Sequence, residues 1–399
     1  MAELLLIQRR LAPIEPYMKT ILTILFLSLL FLSLEAQDST ASSKFLFSGY
    51  IKALETYTSD KLNNTGYANH LIHNRMNLKW RPGSDIFFSA EIRNRIFFGE
   101  QIKLIPDFAG SLRNNSEYLN LQKAWVNNNN LVVHTNIERL FVDFKKAKWQ
   151  LRVGRQRVNW GMATTWNPND IFNAYNFLDI DFIERPGSDG AKLQYNINDN
   201  VNAELVYSVA PNKKRILASK LFVNKWNYDF QFIVGSYMGS YTIGTGWAGN
   251  IKNAGFKGEI QYYDQDQVNP GQLNMTIGID YMFKKGWYAN LGGLFNSNGM
   301  YEEINNWQSL NLNLSARNLM PGKFSYISTI QKELSPLSSA GMSLVYSPGI
   351  QLWIVMPTIN YSFSNAIDAD IIYQLFYLKI SGKLQGISNI GFLRLRYNF

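Results

Sequence analysis

The sequence contains no cysteine, so no disulfide framework holds the chain together. Its three histidines, His70, His73 and His134, lack the spacing of zinc ligands. Charged residues make up only 17% of the chain, against about 25% in a soluble globular domain. Such a composition does not build a water-covered surface. Beyond residue 36 no run of about 18 apolar residues occurs, which excludes a transmembrane helix from that part. Basic residues are dispersed over the chain and form no cluster, so nucleic acid is not implied as a partner. No nucleophile motif accompanies His70 and His73, and no catalytic residue is assigned: the chain reads as a non-enzyme. Asp179, Asp181, Glu184 and Asp189 do not follow the EF-hand spacing. Neither a metal nor a cofactor is implied.

What is present begins with a leader. Lys19 precedes an apolar run over residues 21–34, which meets Glu35-Ala36-Gln37-Asp38. The run is too short to cross a bilayer as a helix and matches the apolar region of a secretory signal peptide. Residues 1–36 therefore read as a signal peptide cleaved after Ala36, with residues 37–399 as the mature protein. Residues 1–17 read either as an extended basic region carrying Arg9 and Arg10 or as an upstream extension, with Met18 the start. A retained anchor helix is the competing reading of the same run. Because residues 1–36 hold as many acidic as basic residues, the net charge of +9 belongs to the remainder.

That remainder alternates with period two. After Asp85, the residues Ile86, Phe88, Ala90, Ile92, Ile96 and Phe98 share one face, and Ser89, Glu91, Arg93 and Arg95 share the other. Ala191, Leu193, Tyr195 and Ile197 alternate with Lys192, Gln194 and Asn196 in the same way, as do Leu273, Met275, Ile277, Ile279 and Tyr281 with Asn274, Thr276 and Asp280. One face meets something apolar and the other meets water. About 18 such strands fit between residue 44 and the last residue, with no helical pattern between them. The connections alternate in length: short turns at 81–84, 145–148, 198–200, 252–253 and 284–286, and long polar segments at 59–69, 99–131, 161–188 and 298–322. Short turns at one end and long loops at the other predict an all-β chain folded as a transmembrane antiparallel barrel. A span in lipid must satisfy its own backbone, and an edgeless barrel does so. The segment 119–126 also reads as a strand, but a nineteenth strand would spoil closure, so it is placed inside a loop.

Trp80, Trp149 and Trp287 share parity with the apolar face and flank short turns, as expected of an interfacial girdle. The last residues place Leu393, Leu395, Tyr397 and Phe399 on one face and Arg394 and Arg396 on the other. Tyr397 and Phe399 resemble the C-terminal signal read by the bacterial barrel-assembly machinery. That machinery and outer-membrane lipid are the partners implied, and the location implied is the outer membrane of a Gram-negative bacterium.

The strand from Trp149 poses a problem of parity. Register with Leu151 and Val153 sends Arg155 and Arg157 into lipid, at about 2–4 kcal/mol each near the midplane. A bulge at Gly154 would return Arg152, Arg155, Arg157 and Asn159 to the interior. The segment that follows, 161–188, is the third external loop. It carries Trp166, Phe172, Tyr175, Phe177 and Phe182, which favour folding inward onto the wall. Trp166, Asn167, Asn169, Asp170, Asp179, Asp181, Glu184 and Arg185 are its candidate constriction residues. Arg75, Arg93, Arg95, Arg139, Arg152, Arg155 and Arg157 form the candidate basic wall opposite it, an arrangement that sets a transverse field in a narrow aqueous gap. The same charges could instead pair and pin the loop.

The runs GRQRVNWG and TWNPNDIFNAYNFLDIDFIERPGSDGAKLQY within 154–195, with GTGWAGNIKNAGFKGE at 244–259, resemble a family of outer-membrane barrels from Bacteroidetes-type bacteria. More distantly, the GRQ and Trp pattern followed by a long inward loop is similar to the alginate-export porins, whose resemblance implies 18 strands and an arginine-rich lumen. The loop carboxylates here depart from that pattern and count against a polyuronate substrate.

Together these features predict a passive, porin-like channel for small hydrophilic solutes, with anions preferred through the lumen arginines and carbohydrates within the same class. The alternative is a plugged barrel whose external loops 59–69, 99–131 and 298–322 bind a surface partner or polysaccharide. Neither the solute nor the oligomeric state is legible.

Overall fold

The computed structural model describes residues 44–113, 117–174, 176–181, 184–304, 310 and 315–399. The expected signal peptide lies outside the described residues, as do Tyr175, Phe182, 305–309 and 311–314 of the expected loops.

Nineteen strands form one antiparallel sheet. They are β1 (Phe45–Asp60), β2 (Thr65–Trp80), β3 (Ile86–Gly99), β4 (Gln122–Asn127), β5 (Leu131–Lys146), β6 (Trp149–Gln156), β7 (Ser188–Asn198), β8 (Val201–Val209), β9 (Arg215–Lys225) and β10 (Tyr228–Tyr237). They continue with β11 (Ser240–Ile251), β12 (Ala254–Tyr263), β13 (Gln272–Phe283), β14 (Trp287–Asn296), β15 (Phe324–Ser335), β16 (Ser338–Ser347), β17 (Leu352–Ser362), β18 (Ile367–Ile380) and β19 (Lys383–Asn398). Each wall strand pairs with its neighbours in sequence, and β19 returns to β1 from Tyr50↔Asn398 to Asp60↔Ser388. The wall has no edge.

The strand expected to spoil closure does exist. β4 pairs with β5 alone, over Gln122↔Asn136 to Asn127↔Val132, while β3 pairs directly with β5. Eighteen strands therefore close the barrel, and β4 extends the wall inside a loop, beside the half of β5 that the short β6 does not reach.

The long loops share one end of the barrel, as expected, though short turns such as 238–239 and 381–382 stand among them. Strands β1 and β2 run on to Asp60 and Thr65, so the first external connection is a tight turn over 61–64, where 59–69 was expected to be a loop. Short connections of two to five residues close the other end, five of them two-residue hairpins. Trp226 and Asn227 both take positive φ, 57° and 61°, the twist a two-residue hairpin needs.

Parity sorts the wall. Leu205, Phe232, Ile243, Ile277, Leu291, Ile359 and Leu393 are all exposed on the outer face. Leaving one such side chain in water costs about 1.5–3 kcal/mol, so a belt of them is stable only against hydrocarbon. Trp80 stacks on Phe88 at 5.0 Å, and Trp149 packs on Tyr195 at 4.4 Å, beside the short turns. The inner face is polar around β1–β5 and β19. Over β8–β10, β12 and β14–β18 it also carries buried apolar side chains, which receive the inward-folded loops.

Candidate functional site

The inner wall gathers basic residues on adjoining strands. Alternation turns Lys52 on β1, His73 and Arg75 on β2, Arg93 and Arg95 on β3, and Arg394 and Arg396 on β19 to the same side. Register sets Arg75 directly against Arg93 and His73 against Arg95. Like charges so placed repel, and a bulge relieves them. On β5 one extra residue, Glu138, stands between Ile137 and Arg139, which pair with Ile92 and Glu91. The extra residue turns Glu138 and Arg139 inward together. Glu138, 3% exposed, then binds both guanidiniums: Arg93 Nε at 2.6 Å and Arg75 Nη1 in a shorter contact.

The predicted bulge at Gly154 is therefore corrected. Register runs unbroken through Gly154 on both sides, to Phe141 and to Gly190. What Gly154 contributes is a φ of 123°, open to glycine and strained for other residues. A Cβ there would lie 2.2 Å from the carbonyl oxygen of Leu140. Beyond it Arg155 enters a buried cluster. Its Nε and Nη2 meet Asp189 at 2.8 and 2.9 Å, Nη1 meets Glu117 at 3.1 Å, and further bonds reach the carbonyls of Ile137 and Leu119. Arg155 thus ties the segment before β4 to the wall and does not face a gap. Arg152 pairs across the hairpin with Asp143, Nε to Oδ2 at 3.0 Å.

The chain leaves the wall after β6, and the loop over 157–187 circuits the interior. Val158 and Trp160 bury themselves against Val206, Ala218 and Ile233, with Phe172 from the same loop, while Arg157 and Asn159 alternate with them and stay exposed. Among the described residues Arg157 bonds only to Asn159 Oδ1, at 3.0 Å. The indole of Trp160 donates to Glu204 at 2.8 Å, and its carbonyl accepts from Gln231 at 2.6 Å. Next the loop docks on β12. Fully buried Glu259 accepts the backbone N–H groups of Met162, of Ala163 at 2.7 Å and of Asn169 at 2.8 Å. Asn169 Nδ2 donates to the carbonyl of Thr245 at 2.9 Å. A Cβ on Gly246 would stand 2.9 Å from that nitrogen, so the β11 glycine makes room for the asparagine. Asn167 is buried beside it.

Trp166, with Phe177 and Leu178 beside it, then packs against the apolar side chains of β14–β18. Gln374 on β18 donates to the carbonyl of Leu178 at 2.8 Å, and Arg394 to that of Ile180 at 3.4 Å. Asp181 meets Lys52 Nζ at 2.9 Å and His73 Nδ1 at 3.2 Å. Glu184 accepts from Tyr50 at 3.1 Å and lies 3.5 Å from Arg75. Arg185 binds Asp170 at 2.5 Å and offers its carbonyl to Arg139. Asp179 is exposed and accepts the N–H of Asp181 at 3.0 Å. Asp181 and Glu184 thus touch the basic wall directly, where the sequence had set them across a gap, while Asp170 pairs with Arg185 within the loop.

Burial raises the Asp170 carboxyl above its ordinary range, opposed by Arg185. Burial acts the same way on Asp181, but the hydrogen bond from His73 and the charge of Lys52 outweigh it and hold that carboxyl well below its usual value. Other loops fold inward too. In α1 (Gln101–Leu104) and α2 (Phe108–Ser111), Ile102 and Phe108 pack on Phe97 and Val132, and Leu319 and Met320 pack on Leu294 and Val345.

Sequence reasoning missed Lys52, His73, Glu138 and Glu259. Adjacent Glu138 and Arg139 carried a signal: without a bulge, one of them points into lipid.

No protein-family model and no curated protein matches the chain. Its fold is similar to that of Acinetobacter baumannii OccAB4, at 11% identity over 90% of this chain and 98% of that one, with a TM-score of 0.59. A BenF-like porin from Pseudomonas fluorescens Pf-5 aligns at 7% identity over 90% and 99%, with a TM-score of 0.58. Pseudomonas aeruginosa OccK5 (OpdH) aligns at 8% over 88% and 98%, with a TM-score of 0.57. At such identities the likeness establishes the closed 18-strand barrel.

Proposed function

We propose that the chain is an outer-membrane channel through which small hydrophilic solutes diffuse passively, with anions preferred. One observation carries the reading: the wall is apolar outside, its inner face carries a cluster of charge on β1–β5 and β19, and one loop laces the interior from β10 round to β2. An 18-strand barrel leaves an aqueous interior unless something narrows it, and here the loop is what narrows it. Arg95, Arg139 and Arg157 form no ion pair among the described residues, their bonds going to His134, to backbone carbonyls and to Asn159. They leave a local excess of positive charge, the source of the anion preference. The porin-like neighbours support passage of small solutes. Outer-membrane lipid and the barrel-assembly machinery, reading Tyr397 and Phe399, complete the proposed partners. The finer resemblance, to Bacteroidetes-type barrels over roughly 130–260 and distantly to alginate exporters through 152–170 and strand count, is part of this proposal.

Planar-bilayer recording under a KCl gradient tests it. Steady conductance with an anion-selective reversal potential is expected. A silent membrane overturns the reading and favours a plugged barrel whose external loops bind a partner. The apolar contacts of Trp160, Trp166 and Met320 inside the barrel are the observation on that side.

A further inference from the structure

The outer face of the wall carries one feature that lipid does not explain. Register sets Asn74 on β2 against Asn94 on β3, Asn94 against Thr135 on β5, and Thr135 against Lys123 on β4. Asn74, Asn94 and Thr135 alternate with the inward His73, Arg75, Arg93, Arg95 and His134, so they point out of the barrel. Their side chains bond head to tail. Trp125 Nε1 donates to Thr135 Oγ1 at 3.0 Å, Thr135 to Asn94 Oδ1 at 2.7 Å, Asn94 Nδ2 to Asn74 Oδ1 at 3.2 Å, and Asn74 Nδ2 to the carbonyl of Tyr50 at 3.4 Å.

The two asparagines of the stripe lie at mid-depth. Along β2 and β3 they stand between the Trp80–Phe88 stack below and the His70–Phe98 stack above. A rise of about 3.3 Å per residue at a tilt of about 40° puts them roughly 15 Å from the first and roughly 10 Å from the second. Each Asn nitrogen carries two hydrogens and uses one within the stripe. The second N–H of each amide finds no acceptor among the described residues, and hydrocarbon has none to offer. Ser219 and Thr245, also on the outer face, differ: each donates its one hydroxyl proton to a carbonyl of its own wall.

We propose that this stripe is the contact of a two-fold dimer, in which a second copy of the chain covers it within the membrane. An Asn side chain both donates and accepts, so the stripe complements itself, as an isologous interface requires. With the axis between the two copies of Asn94, the two Asn94 amides face each other across it, each able to donate and accept, and Lys123 at the far end stays clear of its copy. Toward the short turns, an apolar hollow of about 360 Å³ lined by Leu78, Trp80, Phe88, Leu140 and Val142 continues the same face. It can receive side chains of the partner copy.

The chain has no cysteine, so Asn94→Cys introduces a unique thiol. Mild oxidation of native membranes is expected to link Asn94→Cys into a covalent dimer, and to leave Leu291→Cys, on the lipid-exposed face of β14, monomeric. Native mass spectrometry of the unaltered protein should show dimer. The Asn74→Leu, Asn94→Leu double variant should show roughly tenfold less, as the loss of two interchain hydrogen bonds in a membrane gives, with the conductance of each barrel unchanged. A monomeric mass without cross-linking overturns the proposal, as does an adduct with another protein or with lipid. A silent but dimeric protein would overturn the channel reading and leave this one standing.

Discussion

The carboxylate of Glu259 accepts the backbone N–H of Asn169 at 2.8 Å. Through that bond and those from Met162 and Ala163, the two distinctive runs of the sequence, 154–195 and 244–259, become one structure: a loop and its dock. A buried carboxylate collecting backbone N–H groups does for this loop what a cap does for a helix end.

Glu259→Leu strands those N–H groups in a buried site, at about 1–3 kcal/mol for each one left unpaired. We expect a lower unfolding temperature together with a larger or noisier single-channel conductance, because the loop loses its hold on β12. Unchanged melting and unchanged conductance would show that the loop is held elsewhere.

Arg157 and Arg155, two residues apart, should respond in opposite ways to charge reversal. Arg157 is exposed and, among the described residues, bonds only to Asn159; Arg157→Glu should shift the reversal potential toward cations and leave thermal stability nearly unchanged. Arg155 is fully buried between Asp189 and Glu117. Arg155→Glu places three carboxylates together, and breaking a buried pair costs about 3–5 kcal/mol, so this variant should fail to reach the membrane as a folded barrel. Heat-modifiability on gels reads the second effect and the bilayer reads the first. Selectivity unmoved by Arg157→Glu would remove that residue from the constriction.

Barrel, belt and loop were legible because each rests on a local rule that period, turn length and backbone satisfaction express in the sequence itself. The identity of ion-pair partners was not. Parity said that something must break the alternation near the arginines, and Gly154 was the visible irregularity. The bulge lies instead at Glu138, on the neighbouring strand, where cross-strand repulsion between Arg75 and Arg93 makes a buried carboxylate favourable. That repulsion exists only once register is known. Glu259 was hidden for a similar reason: its partners lie about ninety residues away along the chain.

Acid should act on the Asp181 latch. The Asp181 carboxyl is held well below its ordinary value of 3.8 by His73 and Lys52, despite burial. A depressed carboxyl contributes stability that is fully present above the unfolded value and is lost as pH falls through the folded one. Wild-type stability should therefore begin to fall below about pH 4, and Asp181→Asn, which does not titrate, should lose less between pH 7 and pH 3. Parallel melting curves of the two proteins across that range would exclude the latch. Asp170 carries the opposite sign. Its raised pKa means that its ionisation opposes folding as pH rises, so Asp170→Asn should flatten the pH dependence in the other direction.

Glu138 offers the sharpest test of the interior charge balance. It stands between Arg75 and Arg93, which register places side by side. Glu138→Ala removes the carboxylate and opens its place, leaving two buried guanidiniums close together with only Glu91 and Glu184 on the Arg75 side among the described residues. A loss of about 3–5 kcal/mol is expected from breaking such a pair. An added anion should restore part of it, since sulfate in the vacated field would take over the role of the carboxylate. Urea unfolding of wild type and variant, with sodium sulfate compared against sodium chloride at equal ionic strength, separates this from a general salt effect: sulfate should stabilise the variant more than the wild type. If both proteins respond equally, the pair Arg75 and Arg93 is being neutralised by other groups, and Glu138 is only one member of a wider network.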